Sequence, residues 1–391
     1  MTDGRRIKIV ADENIPLLGD FFSSIGDVHT FPGRSLGPAQ VKDADILLVR
    51  SVTRVDPVLL KGARVRFVGT TTIGLDHIDT DYLDEQGITY VNAPGCNAIS
   101  VVEYVISSLV LLVEMEQARL EDKSVGIIGC GQIGGRLARK LKKLGVRVLM
   151  NDPPLARQGV AGLVSLDEVL KADIITLHVP LTKSGAFATQ HLIDSTVLNQ
   201  LSEDQVLINS SRGGVVDNRA LLSKLEKHPG FRVVLDVWEN EPRIDTGLLG
   251  KVAIGTPHIA GYSLDGKAKG TEMVYREVCQ YLGLQCREKA SGFLPEPPLT
   301  ELGFGQQADA DQAVATAIRA VYDVRMDDCR TRSGLHLSPD GFADYFDRLR
   351  KDYPVRREFG SVNIRLKNRH GQLADKLKAL GFTLAAPTTE R

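Results

Sequence analysis

The run Gly129-Cys130-Gly131-Gln132-Ile133-Gly134 constrains this chain more than any other feature. Apolar Val125-Gly126-Ile127-Ile128 precedes it and the amphipathic stretch Arg136 to Leu144 follows. That order predicts strand, glycine turn and helix. A side chain in the turn would block both its tight bend and the approach of backbone amides to a pyrophosphate, which rests on the N-terminus of the following helix. The next apolar segment, Val146 to Met150, leads into Asn151-Asp152, 18 residues beyond Gly134. An acid about 20 residues past the turn accepts from the ribose hydroxyls of a dinucleotide, and its charge repels the extra phosphate of NADP. The fingerprint therefore predicts NAD, held by Gly129, Gly131, Gln132, Ile133, Gly134 and Asp152.

The pattern around the fingerprint predicts α/β architecture. Ile7–Val10, Asp45–Val49, Val65–Val68 and Ile88–Val91 read as strands separated by helical or turn-rich segments, the signature of a parallel sheet. Val101 to Glu121 reads as a long helix. A second series, Ser124–Ile128, Val146–Met150, Ile174–His178, Val206–Asn209, Val233–Val237 and Val252–Thr256, supplies the six strands of a doubly wound Rossmann-type domain. Lys267 to Gly283 reads as one helix, and Pro295, Pro297 and Pro298 as a linker. Beyond them a helix over Ala308–Tyr322 and a strand–helix–strand, Ser361–Leu366, Gln372–Leu380 and Phe382–Ala386, predict a small α+β module. At 391 residues the chain exceeds the ~250–300 at which one core stops growing. The expected division is a flavodoxin-like α/β substrate domain from residues 1–98 and 268–290, a dinucleotide domain from 99–267, and a C-terminal domain, 291–391, that pairs two chains.

Composition excludes more than it identifies. A net charge of −1 gives no field for nucleic acid, and five scattered cysteines form no disulfide ladder, as expected of a cytoplasmic protein. The longest apolar stretch, Val101 to Val113, contains Glu103 and falls short of the ~20 residues that span a bilayer, so no membrane association is expected. Asp76, His77 and Asp79 are crowded together without a fourth ligand and read as turn and helix-cap residues rather than a metal site.

Arg212, Glu241 and His258 each follow a strand of the second series, where ligands of open α/β sheets bind. Oxidising a 2-hydroxy acid requires a base for the hydroxyl proton as hydride leaves carbon, and imidazole suits the task near neutrality. His258 is the candidate base, with Glu241 stabilising its imidazolium and fixing its tautomer. Arg212 offers the planar fork that grips a carboxylate.

These residues lie in Ser211-Arg212-Gly213-Gly214-x-Val216-Asp217, Leu235-Asp236-Val237-x-Glu239-x-Glu241-Pro242 and Thr256-Pro257-His258-Ile259-Ala260-Gly261. With the glycine run, they resemble the D-isomer-specific 2-hydroxyacid dehydrogenases over roughly residues 1 to 285. The resemblance implies that Arg212, Glu241 and His258 are catalytic and that Asp236, Val179, Ser210, Ser211 and Gly261 adjoin the cofactor. Val179 departs from the Thr often found in the family, which removes a side-chain hydrogen bond.

Asp12-Glu13-Asn14, Val49-Arg50-Ser51-Val52-Thr53, Asn92 to Asn97, Val102 to Val105, Asp152-Pro153-Pro154, Tyr262 after the His258 motif and the C-terminal module resemble a narrower group. Its members oxidise 4-phospho-D-erythronate and pair through the C-terminal domain. The resemblance implies a small phosphorylated 2-hydroxy acid as substrate, met by Arg50, Ser51, Thr72 and Tyr262, which include the cationic and hydroxyl donors a phosphate requires. A 3-phosphoglycerate dehydrogenase and an NAD-sensing binding protein on the same scaffold stand as alternatives. Arg356 and Arg357 read as a solvated basic pair.

Overall fold

The computed structural model describes residues 5–367 and 371–385 and divides into two compact units, residues 1–97 with 263–296 and residues 98–262 with 297–391. In the first unit five parallel strands, β1 (Ile7–Asp12), β2 (Gly26–Phe31), β3 (Ile46–Val49), β4 (Phe67–Thr70) and β5 (Thr89–Val91), lie in the order β2-β1-β3-β4-β5. This is the flavodoxin-like order. Central β3 and β4 are buried along their whole length, as parallel strands covered on both faces must be. Only β2 escaped the sequence reading. It is an edge strand, Gly-Asp-Val-His-Thr-Phe, whose mostly exposed side chains carry no apolar run. Its place is set by backbone proximity instead: a Cβ on Gly26 would lie 2.2 Å from the Ile7 carbonyl oxygen. The helix Leu264–Leu282 completes this core, laying Val274, Tyr275 and Val278 against Ile9, Phe21 and Phe67. Ser263 Oγ caps it at the Gly266 amide, 2.9 Å, and Gly283 ends it at φ 67°.

The second unit holds six parallel strands: β6 (Ser124–Ile128), β7 (Arg147–Asn151), β8 (Ile174–Leu177), β9 (Val206–Asn209), β10 (Arg232–Leu235) and β11 (Ile254–Gly255), in the order β11-β10-β9-β8-β6-β7. Chain order reverses at β6, so the crevice at its carboxyl end is the topological switch point. The helix Gly134–Lys143 follows, burying Leu137, Ala138 and Leu141 on one face while its lysines and arginines cover the other. The helix Ala98–Met115 is apolar enough to cross a membrane by composition, yet 78% of it is buried inside the protein. It stops before the predicted Glu121, where Gln117 turns left-handed at φ 54°.

Residues 297–385 add a three-stranded parallel sheet, β12 (Glu301–Phe304), β13 (Asn363–Leu366) and β14 (Thr383–Leu384), and the helices Ala310–Val321, Val324–Arg332, Pro339–Lys351 and Gln372–Leu380. Ala386, the last residue of the predicted final strand, lies outside the described residues. This segment shares one hydrophobic core with the six-stranded sheet: Val314, Ile318, Phe359 and Leu377 cluster with Val105, Leu109, Leu137 and Leu141. Phe359 and Phe382 stack at 4.7 Å within it.

Candidate active site

The cofactor crevice is built from β6, its glycine turn and the ends of β7 and β8. Gly129 adopts φ 91°, and a Cβ there would lie 2.5 Å from the His178 carbonyl oxygen and 2.8 Å from Val179 Cγ1. A Cβ on Gly134 would lie 1.9 Å from the Gly129 carbonyl oxygen, so the turn closes only with glycine at both positions. Gly131 is different: nothing stands within 4 Å of its would-be Cβ, and Gly131 and Gln132 are exposed. No side chain caps the helix that starts at Gly134. Open amides at an uncapped helix N-terminus suit a pyrophosphate. Asp152, at the end of β7, has work of its own. Its Oδ2 accepts from the Cys130 amide at 2.8 Å and its Oδ1 from the Leu155 amide at 3.0 Å, tying the glycine turn to the helix Pro153–Arg157. Ile133 is half-buried and Val179 flanks the turn. Beside Val179, burial pushes the His178 imidazole down to about 3, a neutral ring that the sequence reading did not single out.

The candidate base and its partner meet as the chemistry demands. His258 Nδ1 and Glu241 Oε2 are 2.7 Å apart, while Glu241 Oε1 accepts from the Trp238 amide at 2.8 Å. Burial alone would raise the Glu241 carboxyl. The His258 ring and its hydrogen bond, the charge of Arg350 and the Trp238 amide outweigh it and hold the group below its usual range. The His258 side chain keeps 33% of its surface exposed against 19% for Glu241, so the ring opens outward from a mostly covered carboxylate. His258 is left-handed at φ 58°.

Asp236 holds that loop. Its Oδ1 accepts from the Ile259 amide at 2.8 Å and the Thr256 hydroxyl at 2.7 Å, its Oδ2 from the Ala260 amide at 3.0 Å, and its carbonyl from the His258 amide at 2.7 Å. Trp238, which the sequence reading passed over, is buried and donates its Nε1–H to the Thr256 carbonyl at 2.9 Å. Arg212 follows β9. Asn209 accepts from the Ser211 amide and hydroxyl and donates to the Arg212 carbonyl, which shapes the turn, while Arg212 Nη1 donates to the Ser211 carbonyl at 2.9 Å. Gly213 must be glycine, because a Cβ there would lie 1.9 Å from the Trp238 carbonyl oxygen. The Ser210 hydroxyl is buried and has no hydrogen-bond partner among the described residues. Gly261 and Tyr262 are half-buried just beyond His258.

In the first unit, Arg50, Ser51 and Thr72 follow neighbouring β3 and β4. Arg50 Nε donates to Asp12 Oδ2 at 3.0 Å, and Asp12, at the end of β1, is fully buried. Ser51 is exposed. The Thr72 hydroxyl pairs with that of Thr70 at 2.8 Å, which in turn meets His77 Nε2 at 3.1 Å. Asp12 and His77 thus orient two candidates without having been candidates. Asp79 caps the helix Thr80–Glu85 through the Tyr82 amide.

One expectation fails. Arg356 and Arg357 are buried, 4% and 8% exposed, not solvated. The Arg356 guanidinium stands 3.5 Å from the Tyr322 ring centroid, donates to the carbonyls of Ala260 (3.1 Å) and Ser100 (2.7 Å), and lies 4.0 Å from buried Glu103. Its partners sit at least 34 positions away in sequence, so no local pattern reveals them.

Residues 112–260 match the family model described as D-isomer specific 2-hydroxyacid dehydrogenase, NAD binding domain, and residues 293–381 match a domain of unknown function (DUF3410). The erythronate-4-phosphate dehydrogenase of Hahella chejuensis is 52% identical over 97% of this chain and 100% of its own length. The chain belongs to the erythronate-4-phosphate dehydrogenase family. A second relative of that name, from Marinobacter nauticus, is 53% identical over 96% of this chain and 99% of its own. Among solved structures, D-lactate dehydrogenase of Aquifex aeolicus, complexed with NAD and lactic acid, superposes with TM-score 0.59 at 26% identity, covering 71% of this chain and 95% of that one. The NAD-bound 3-phosphoglycerate dehydrogenase of Entamoeba histolytica has TM-score 0.62 at 22% identity, covering 71% and 96%, and shares the fold. As a member of its family the chain is an NAD-dependent 2-hydroxyacid dehydrogenase with a Rossmann domain.

Proposed function

We propose that the chain oxidises 4-phospho-D-erythronate to 2-oxo-3-hydroxy-4-phosphobutanoate. The observation that carries the reading is the 2.7 Å pair of His258 and Glu241 on a loop beside the Arg212 turn, in a chain 52% identical to an erythronate-4-phosphate dehydrogenase. With Nδ1 committed to Glu241, Nε2 is the ring nitrogen that takes the hydroxyl proton, and Glu241 balances the charge this creates. Arg212 grips the substrate carboxylate and polarises the developing carbonyl. Bound NAD supplies the hydride acceptor, held by the Gly129–Gly134 turn and Asp152, with Val179, Ser210, Ser211, Asp236 and Gly261 around it. Arg50, Ser51 and Thr72 in the first unit and Tyr262 in the second are the substrate-binding candidates, with Arg50 and the hydroxyls suited to the phosphate. Two chains pair through the C-terminal segment, and the cytoplasm is the compartment that the free cysteines favour.

The test is turnover by the purified chain of 4-phosphoerythronate, 3-phosphoglycerate and D-lactate, each with NAD and a 2-oxo acid acceptor to reoxidise it. The first should be oxidised with the highest kcat/KM. Preference for either other acid would overturn the substrate, and binding of NAD without turnover of any would favour a sensor.

A further inference from the structure

The loop from His258 to Tyr262 is held from two sides. Asp236 takes its amides on one. On the other stand three side chains from the end of the helix Pro339–Lys351 and the turn beyond it: Arg350, Tyr353 and Arg356. Arg356 donates to the Ala260 carbonyl at 3.1 Å. The Tyr353 ring meets the Tyr262 ring edge-on, centroids 5.7 Å apart at 89°, and its hydroxyl donates to Asp327 at 2.7 Å, which fixes the ring. The Arg350 guanidinium carbon lies 5.8 Å from the Tyr262 ring centroid. Its Nε is buried and has no hydrogen-bond partner among the described residues. A desolvated cation with an unused donor is costly unless it serves a purpose.

We propose that Arg350 is a positioning residue of the reaction, setting the Tyr262 ring and biasing the charge balance of the Glu241–His258 pair, so that the segment matched to a domain of unknown function takes part in catalysis. This rests on the dehydrogenase reading above. Of the charged and titratable groups around the pair, Asp236 interacts with His258 and Arg350 with Glu241, while Tyr262 and Asp347 interact with Arg350. Arg350 helps keep Glu241 ionised, and a hydrogen bond with the Tyr262 side chain together with the charges of Glu241 and Asp347 in turn favours the guanidinium against the burial that opposes it. A cation here also opposes a proton on the neighbouring imidazole, which favours the base in the form that accepts the hydroxyl proton.

Without the cation the Glu241 charge is less balanced, so the acid limb of the kcat/KM profile for oxidation should move up, by about half a pH unit at an effective dielectric typical of proteins. The experiment compares wild type, Arg350→Met and Arg350→Lys, using whichever of the three hydroxy acids the wild type oxidises, with NADH binding followed by fluorescence. Arg350→Met should lower kcat at least tenfold, raise the acid limb and leave NADH affinity within twofold of wild type. Millimolar guanidinium should restore part of its rate. Arg350→Lys keeps the charge and loses the planar group, so it should retain the wild-type pH profile with a reduced kcat. An Arg350→Met enzyme with wild-type kcat and profile, or one altered in KM alone, overturns the proposal, as does an Arg350→Lys profile displaced as far as a neutral substitution would displace it. A wild type inactive on all three acids refutes the dehydrogenase reading instead.

Discussion

Glu241 has both carboxylate oxygens engaged, one by the Trp238 amide and one by His258, and that double hold sets the imidazole's face and tautomer. Its carboxyl lies below its usual range, so the negative charge beside the ring persists at neutral pH. Glu241→Gln can keep the Trp238 contact through its carbonyl oxygen, but it turns an NH2 toward Nδ1, so it removes both the charge and the acceptor that holds the base-competent tautomer. The imidazolium then loses its stabiliser, and the acid limb of the oxidation profile moves to lower pH, by about one unit, with a lower kcat at the plateau. This is the opposite displacement from that expected for Arg350→Met. A pH–rate series on both variants would show it, and two profiles moving the same way would mean that charge is not what these residues contribute. At this scale chemistry makes residue types stand out: Arg212, Glu241 and His258 are legible as candidates at strand ends, and the structure brings two of them, His258 and Glu241, to 2.7 Å. Arg350, Trp238 and His178 are not legible in this way, because their roles come from what they pack against.

The helix Ala98–Met115 carries a carboxyl where an apolar side chain would be expected. Glu103 is wholly buried; its Oε1 accepts from the Phe359 amide at 2.8 Å while Oε2 has no hydrogen-bond partner among the described residues and stands 4.0 Å from the Arg356 guanidinium. Burial and then the charge of Glu358 raise it well above the ordinary carboxyl range, against Arg356 and the Phe359 amide. A folded-state value raised in this way means that the native protein holds a proton the unfolded chain releases. The associated stability is full below the unfolded carboxyl value, near 4.5, and is lost as pH rises toward the folded one. Glu103→Gln removes the titration and keeps the acceptor. Melting temperatures should favour the variant increasingly from pH 5 to pH 8, and a constant gap across that range would show Glu103 to be ionised in the fold. Elements were legible in proportion to their burial: fully apolar central strands read directly, and the exposed edge strand β2 did not. The helices Val324–Arg332 and Pro339–Lys351 also went unread. The first has only Val324, Asp327 and Thr331 buried, so its sequence carries almost no apolar stripe.

For the whole molecule, the parallel α/β class and the cofactor fingerprint followed from periodicity and spacing, whereas the strand orders and the shared core of residues 297–385 with the six-stranded sheet did not. Apolar patterning says that a face is covered and not by what. That shared core decides how pairing should be tested. Removing the C-terminal segment would strip Val314, Ile318, Phe359 and Leu377 from the core around Leu109 and Leu137, so truncation would report on folding as much as on association. The intact chain should sediment at twice 42.7 kDa, with inter-chain cross-links falling within residues 297–385. A monomer at micromolar concentration would contradict pairing. The first unit is discontinuous, and this sets a timetable during synthesis. Strands β1 to β5 leave the ribosome early, yet Val274, Tyr275 and Val278, which cover Ile9, Phe21 and Phe67, are among the last pieces of that core to be made. At ~5–20 residues per second, the first sheet waits on the order of 10–40 s with one face uncovered while the entire NAD-binding sheet is produced. The nascent chain therefore has a long interval of exposed apolar surface at its N-terminal end, and holdase chaperones should engage residues 7–70 more than any other part of the chain.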